Sequence, residues 1–200
     1  SLFYNRLDSN TSPTDGYFIS LNQEYAGMGG STHFLRHTFK SRYYHPIIND
    51  DVILILGAEG GIINGLDNKN VYINDRFFLG GGSTMRGFNY AGIGPRDKKN
   101  DNSLGGNRYY SGTSEVRFPL GFGKEMGLFG AVFIDVGNLY KVDVDKSSEV
   151  WDSSSLRSSY GMGIGFTSPM GPIRIHYAMP ISNKSYDKEK YFDISFTTAF

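Results

Sequence analysis

The side chains best suited to chemistry are few and poorly spaced for it. His33 and His37 stand four apart and His45 follows. On one helix face such spacing can hold a metal. The residues around them alternate as a strand, which puts His33 and His37 far apart along the chain and argues against ligation. Gly161, Gly163 and Gly165 place glycine at every second position, as some phosphate loops do. No helix follows to present its N-terminus to a phosphate, and small residues on one face of a strand explain the pattern better. Serine, histidine and aspartate all occur, but no nucleophile-elbow pattern frames a serine. No catalytic, metal or cofactor site is expected.

One long segment remains. Residues 65–107 form a single connection containing Arg76-Phe77-Phe78-Leu79-Gly80-Gly81-Gly82-Ser83-Thr84-Met85-Arg86-Gly87-Phe88 and then Gly92-Ile93-Gly94-Pro95-Arg96-Asp97. A connection of that length is either functional or disordered. Its glycines permit tight, close-packed backbone and its aromatics give it something to bury. A loop waving in solvent needs neither.

The elements that must position this loop are strands. The chain holds 26 glycines, 14 tyrosines and 15 phenylalanines and no cysteine. Glycine disfavours helix and aromatics favour strand. The lack of cysteine removes disulfides and most zinc sites and suits a compartment where free thiols are a liability. Net charge is zero and no basic patch dominates, so no nucleic-acid partner is expected. No apolar run is long enough for a membrane helix. The first residues do not read as a signal peptide.

Period-two alternation recurs from end to end. Phe192, Ile194, Phe196, Thr198 and Phe200 share one face of the last segment, against Asp193, Ser195, Thr197 and Ala199. Ile173, Ile175, Tyr177 and Met179 alternate with Arg174, His176 and Ala178. Tyr160, Met162, Ile164 and Phe166 alternate with the three glycines. Leu128, Val132, Ile134 and Val136 oppose Ala131, Asp135 and Gly137, with Phe133 the exception on the polar side. Val116 and Phe118 oppose Thr113, Glu115 and Arg117; 52–63 is more uniformly apolar; 35–43, 17–25 and a start near 2–7 complete about nine strands.

The polar faces carry Arg36, Lys40, Arg42, Glu115, Arg117, Asp135 and Arg174 in mid-strand. A soluble sandwich would leave that face in bulk water; a membrane barrel turns it into a wet lumen. Tyrosine and phenylalanine near the strand ends favour the barrel, as girdles at two interfaces. Short turns are read near 11–14, 48–50, 121–124 and 168–171, and longer connections near 27–31, 65–107, 141–156 and 182–190. Short periplasmic turns alternating with long extracellular loops are the barrel habit, and they put the C-terminus on the periplasmic side. Single-chain bacterial barrels have even strand counts, so an odd count points to upstream strands beyond this chain.

The Arg-Phe-x-x-Gly-Gly-x-x-x-x-Arg-Gly-Phe pattern followed by Gly-Pro-Arg-Asp resembles the sixth extracellular loop of BamA-type outer-membrane assembly factors, the bacterial surface antigen family. Three further segments match in order: Ser114-Glu115-Val116-Arg117-Phe118, Phe133-Ile134-Asp135-Val136-Gly137, and Ser168-Pro169-Met170-Gly171-Pro172 with Tyr177-Ala178-Met179-Pro180. The terminal Phe200 resembles the family's aromatic-ended last strand. The resemblance covers nearly the whole chain. It implies that residues 1–200 are the C-terminal barrel region of a sixteen-stranded, all-β, antiparallel transmembrane barrel, with POTRA domains and N-terminal strands absent.

The resemblance also implies that the loop folds into the lumen, with Gly80, Gly81, Arg86, Gly87 and Phe88 as its working part. Arg86 would pair there with Glu115 and Asp135, Gly87 would turn the backbone, and Phe88 would pack on the wall. Alternation independently puts both acids on the lumen face. The residues alone leave a second reading open, in which the acids are simply solvated and Arg86 is an exposed loop charge.

The implied function is assembly and insertion of barrel proteins into the bacterial outer membrane through a lateral seam, one side of which is the strand bearing Phe192, Ile194, Phe196 and Phe200. Implied partners are unfolded barrel clients, outer-membrane lipids and accessory lipoproteins. The alternatives are a TamA-like or two-partner-secretion transporter and, from another class, a passive porin or a barrel-embedded enzyme with groups such as His33 and Asp67 at the rim. A porin predicts a lumen free of the folded loop. An enzyme predicts that one rim substitution abolishes turnover.

Overall fold

The computed structural model describes residues 1–27, 32–48, 51–121, 127–144, 149–168 and 171–196. Its main sheet is a nine-stranded antiparallel meander. In order across the sheet the strands are β1 (Leu2–Asn5), β2 (Gly16–Ala26), β3 (Phe34–Ile48), β4 (Val52–Gly65), β7 (Arg108–Pro119), β8 (Leu128–Tyr140), β10 (Arg157–Ser168), β11 (Gly171–Ser182) and β13 (Phe192–Phe196). The missing numbers are two-residue strands in the loops: β5 (Gly87–Phe88), β6 (Arg96–Asp97), β9 (Val150–Trp151) and β12 (Glu189–Lys190). β12 pairs with β5 and β6 with β9, so the loops are laddered to one another.

The strand count and the faces agree with the alternation. β2, β3, β4, β7, β8, β10 and β11 each run 11 to 15 residues. A tilted strand needs about 9–11 to cross the hydrocarbon layer. No helix among the described residues is long and apolar enough to cross a membrane; in this fold the strands are the spanning elements.

The burial is inside out. Glu115 and Asp135 are 3% and 2% exposed, whereas Ile134 and Met162, on the opposite face, are 53% and 64% exposed. Ile164, Ile175, Tyr177, Ile19 and Leu21 are exposed on that same apolar face. Water would penalise this arrangement by about 25 cal/mol per Å² of apolar surface, and lipid removes the penalty. This settles the choice between sandwich and barrel wall.

The uniformly apolar segment is β4. Its odd positions turn inward, with Ile53 and Ile55 packed beside Tyr44 and Leu7, and Ile63 beside Phe34 and Val71. Its Leu56 and Ile62 face outward.

One connection departs from the short-and-long expectation. Residues 6–15, between β1 and β2, span more chain than 27–33, between β2 and β3. The segment is built rather than slack. Asp8 accepts hydrogen bonds from the backbone of Thr14 and Asp15 at 2.9 and 3.1 Å, and Pro13 is buried with its carbonyl taking 2.7 Å from Arg117. The connection therefore tucks under the charged face. The turns at 48–50, 121–124 and 168–171, the connection at 27–31, and Thr198 and Phe200 lie wholly or partly outside the described residues.

The two faces should respond differently to charge. In the full-length protein in bilayers, Ile164→Lys is expected to cost about 2–4 kcal/mol if it lies near the midplane. Thr38→Lys, on the charged face, should cost under about 1 kcal/mol. Urea titration followed by gel mobility of the folded band measures both. Equal losses would remove the assignment of faces.

Candidate functional site

The connection from β4 to β7 is a folded unit seated on the charged face. It begins with a single 3-10 turn at Ile73–Asp75. Arg76 then donates to the carbonyls of Val71, Leu104 and Asp143 at 2.8–3.1 Å, gathering three separate stretches of backbone. Phe77 exchanges backbone hydrogen bonds with Gly106, both 2.9 Å. Leu79 bridges Ile93, and Leu79, Met85, Phe88 and Ile93 close over Leu139 of β8 as a dry cluster. Phe88 is 1% exposed, held between the loop's own core and the wall.

The glycines in this unit have specific tasks. Gly80, Gly81 and Gly87 have φ of +119°, +92° and +89°, where an L side chain is strained. A Cβ on Gly80 would also lie 2.2 Å from the Asn89 carbonyl oxygen. The hairpin is closed by Met85 N–H to Gly81 O at 3.0 Å and Gly81 N–H to Phe88 O at 3.0 Å. Residue 86 emerges from it pointing at the sheet.

Arg86 lies across β7 and β8. Its Nε and one terminal nitrogen donate to the two Asp135 oxygens at 2.8 and 2.7 Å, a bidentate fork. The other terminal nitrogen donates to Glu115 at 2.5 Å. Thr113, opposite Asp135 in the ladder, accepts from Arg86 at 2.9 Å and donates to Asp135 at 2.6 Å. The Arg86 backbone N–H adds a 3.1 Å bond to Asp135, and the Arg86 carbonyl accepts from the Ser159 hydroxyl at 2.6 Å. Arg174 donates to the remaining Glu115 oxygen at 2.9 Å. Two carboxylates thus meet two guanidinium groups through direct hydrogen bonds.

Phe133, the residue that broke the alternation, is the floor of this site. The Arg86 guanidinium sits 3.3 Å above its ring centre. A desolvated cation over an aromatic face is worth on the order of 2 kcal/mol. The ring itself occupies space that Gly161 leaves free, since a Cβ there would be 2.6 Å from the Phe133 ring. Gly165 does the same for Phe129, whose ring lies 5.3 and 5.5 Å from the guanidiniums of Arg117 and Arg174. The alternating glycines of β10 are a trough for two rings that carry three arginines.

Sequence reasoning missed two parts. Thr113, Ser159 and Arg174 join the Arg86 network, and only their shared inward parity hinted at it. A second buried arginine, Arg157 at the start of β10, was not singled out. It is fully buried and forks Asp187 at 2.9 and 3.2 Å, with further bonds to Asn138 at 2.6 Å and the carbonyls of Ser153 and Ser155. It fastens the 141–156 and 183–191 loops to the strands. The rim pair His33 and Asp67 do meet, at 2.7 Å, with Asp67 largely exposed. Among the described residues, no group of three or more histidines and carboxylates could hold a metal. Phe192 and Ile194 lie on the exposed face of β13, at the end of the sheet; the Phe196 side chain and Phe200 are outside the description.

Removing the cation leaves two buried carboxylates without their main partner. Arg86→Ala is expected to cost about 3–5 kcal/mol. Arg86→Lys should recover only part, because an ammonium cannot fork Asp135 while reaching Glu115. Limited proteolysis of the 66–107 loop in the folded full-length protein reads this directly. A loop equally protected in the alanine variant would mean that the hairpin core alone holds it.

The Omp85 superfamily domain matches residues 1–200. The outer membrane protein assembly factor BamA of Neorickettsia risticii is 38% identical over 200 residues, covering 100% of this chain and 27% of that protein. BamA of Neisseria meningitidis is 27% identical over 98% of the chain and 28% of its own length. The human sorting and assembly machinery component 50 homolog is 29% identical over 91% of the chain and 41% of its length. In three dimensions the chain superposes on the crystal structure of BamA from Haemophilus ducreyi lacking POTRA domains 1–3, with a TM-score of 0.86 at 21% identity, covering 96% of this chain and 40% of that one. The chain therefore spans between about a quarter and two-fifths of these relatives' own lengths, and it belongs to the Omp85 superfamily.

Proposed function

We propose that this chain is the C-terminal barrel region of a protein that assembles β-barrel proteins and inserts them into the bacterial outer membrane. The observation that carries the reading is the loop latched by Arg86 against β7, β8 and β10 in an Omp85 chain. A passive porin needs an open lumen, and a plug fastened by a buried charge network works against conduction. The relatives bear the names of assembly factors, which agrees.

The work is done by backbone rather than by bond-making chemistry. Strand β13 lies at the end of the sheet, laddered only to β11 among the described residues. In a closed barrel it would meet a first strand supplied by upstream chain. Parting that seam exposes a row of N–H and C=O groups, which templates a client's last strand by β-augmentation. The partners are unfolded barrel clients, surrounding outer-membrane lipids and accessory lipoproteins. The loop bearing Arg86 lies toward the cell exterior and the C-terminus toward the periplasm.

Depletion of the full-length protein in its native cell should lower the folded form of several unrelated outer-membrane barrels together, seen as loss of heat-modifiable bands. Re-expression of the Arg86→Ala form should restore them several-fold less well than the unaltered protein. If barrels stay folded while one secreted substrate or one solute fails to cross, the protein is a dedicated transporter.

A further inference from the structure

The loop that carries Arg86 also touches β13, at a close contact made by a glycine. The Gly82 N–H donates to the Asp193 carboxylate at 3.0 Å. A Cβ on Gly82 would lie 2.9 Å from the His176 ring, 3.0 Å from the Asp193 oxygen and 3.1 Å from Ser195 Cβ. The loop tip is thus pressed onto the inner faces of β11 and β13, where a side chain would force its neighbours to shift. The second Asp193 oxygen accepts from Lys190 at 2.6 Å. Lys190 in turn stands opposite Gly87 in the β5–β12 ladder. Three residues separate Gly82 from Arg86.

This geometry joins two things that the sheet alone keeps apart. Arg86 is bonded to β7, β8 and β10. β13 is laddered to β11 over five residues, Phe192 to Phe196. Among the described residues β13 has this one neighbour, and a strand at the end of a sheet sits at the low-stability end of a fold and opens readily. Asp193 lies opposite His176, whose ring meets the edge of Phe133, the ring under Arg86. The latch and the terminal strand therefore share one packed unit, and Asp193 is its polar link.

We propose that Asp193 is a positioning residue coupling the Arg86 loop to strand β13. While the loop is seated, the Gly82–Asp193 bond holds β13 against β11; when the loop lifts, β13 loses that tie and its edge frays. Resting on the reading of β13 as the seam strand, this makes the latch a control on the seam.

The test is hydrogen–deuterium exchange of the full-length protein in lipid nanodiscs. Asp193→Ala should speed exchange of residues 192–196 by about tenfold, the weight of one charge-assisted hydrogen bond, with β7 and β8 unchanged. Asp193→Asn keeps an acceptor for Gly82 but gives up the charge facing Lys190, and should stay within about threefold of the unaltered protein. Arg86→Ala should speed β13 as well, and the double variant should exchange no faster than Asp193→Ala alone, since coupled sites do not add. Three outcomes overturn the proposal: no change in Asp193→Ala, Asp193→Asn as fast as Asp193→Ala, or full additivity with Arg86→Ala. The second would assign the effect to the Lys190 pair. Exchange is read without any client, so this result stands or falls separately from the depletion experiment.

Discussion

Glu115 and Asp135 stand on adjacent strands, inside a membrane-spanning sheet, nearly without solvent. A buried charge without a partner costs several kcal/mol. Arg86 resolves this for both at once. It does so with the fork geometry that only a guanidinium offers, two bonds to one carboxylate and one to the other. Much of the surrounding architecture follows from the need to deliver that group. The positive-φ glycines make the hairpin, Phe88 and Met85 anchor it, and Ser159 receives its backbone.

The same need explains the composition of the wall. A guanidinium lying flat on a sheet requires a flat floor, and Phe133 supplies it. An aromatic ring on an inner face needs space on the neighbouring strand, and Gly161 and Gly165 supply that. Polar lumen, aromatic floor and glycine trough are therefore one construction spread over β8, β10 and the loop. Outside it, half-buried and buried arginines take over the part that secondary structure plays elsewhere. Arg76, Arg96 and Arg157 each gather carbonyls from irregular backbone, satisfying acceptors that no ladder reaches. This lets long loops fold tightly with little regular structure.

The fold was legible in the chain because the strand period is two and lipid inverts the usual burial. Alternation alone assigned both acids and Arg174 to one face and Met162 and Ile164 to the other. The single residue out of pattern, Phe133, proved to be the arginine's floor. Connection lengths were read less well: a short turn near 11–14 proved to be part of a connection over 6–15, whose inward tuck depends on Asp8 and on the distant Arg117.

The sequence by itself determined the strands, their faces and the presence of one glycine-rich connection too rich in aromatics to be idle. These are local properties, written in period and composition. Only the tertiary structure decided which strand each loop residue meets. Arg86 reaches across 29 and 49 positions to its acids, Gly82 across 111 to Asp193, and Arg157 across 30 to Asp187. No local pattern encodes such pairings, because they depend on how the sheet curves and where the hairpin lands on it. The position of a charge along a strand is a matter of sequence; its partner is a matter of geometry.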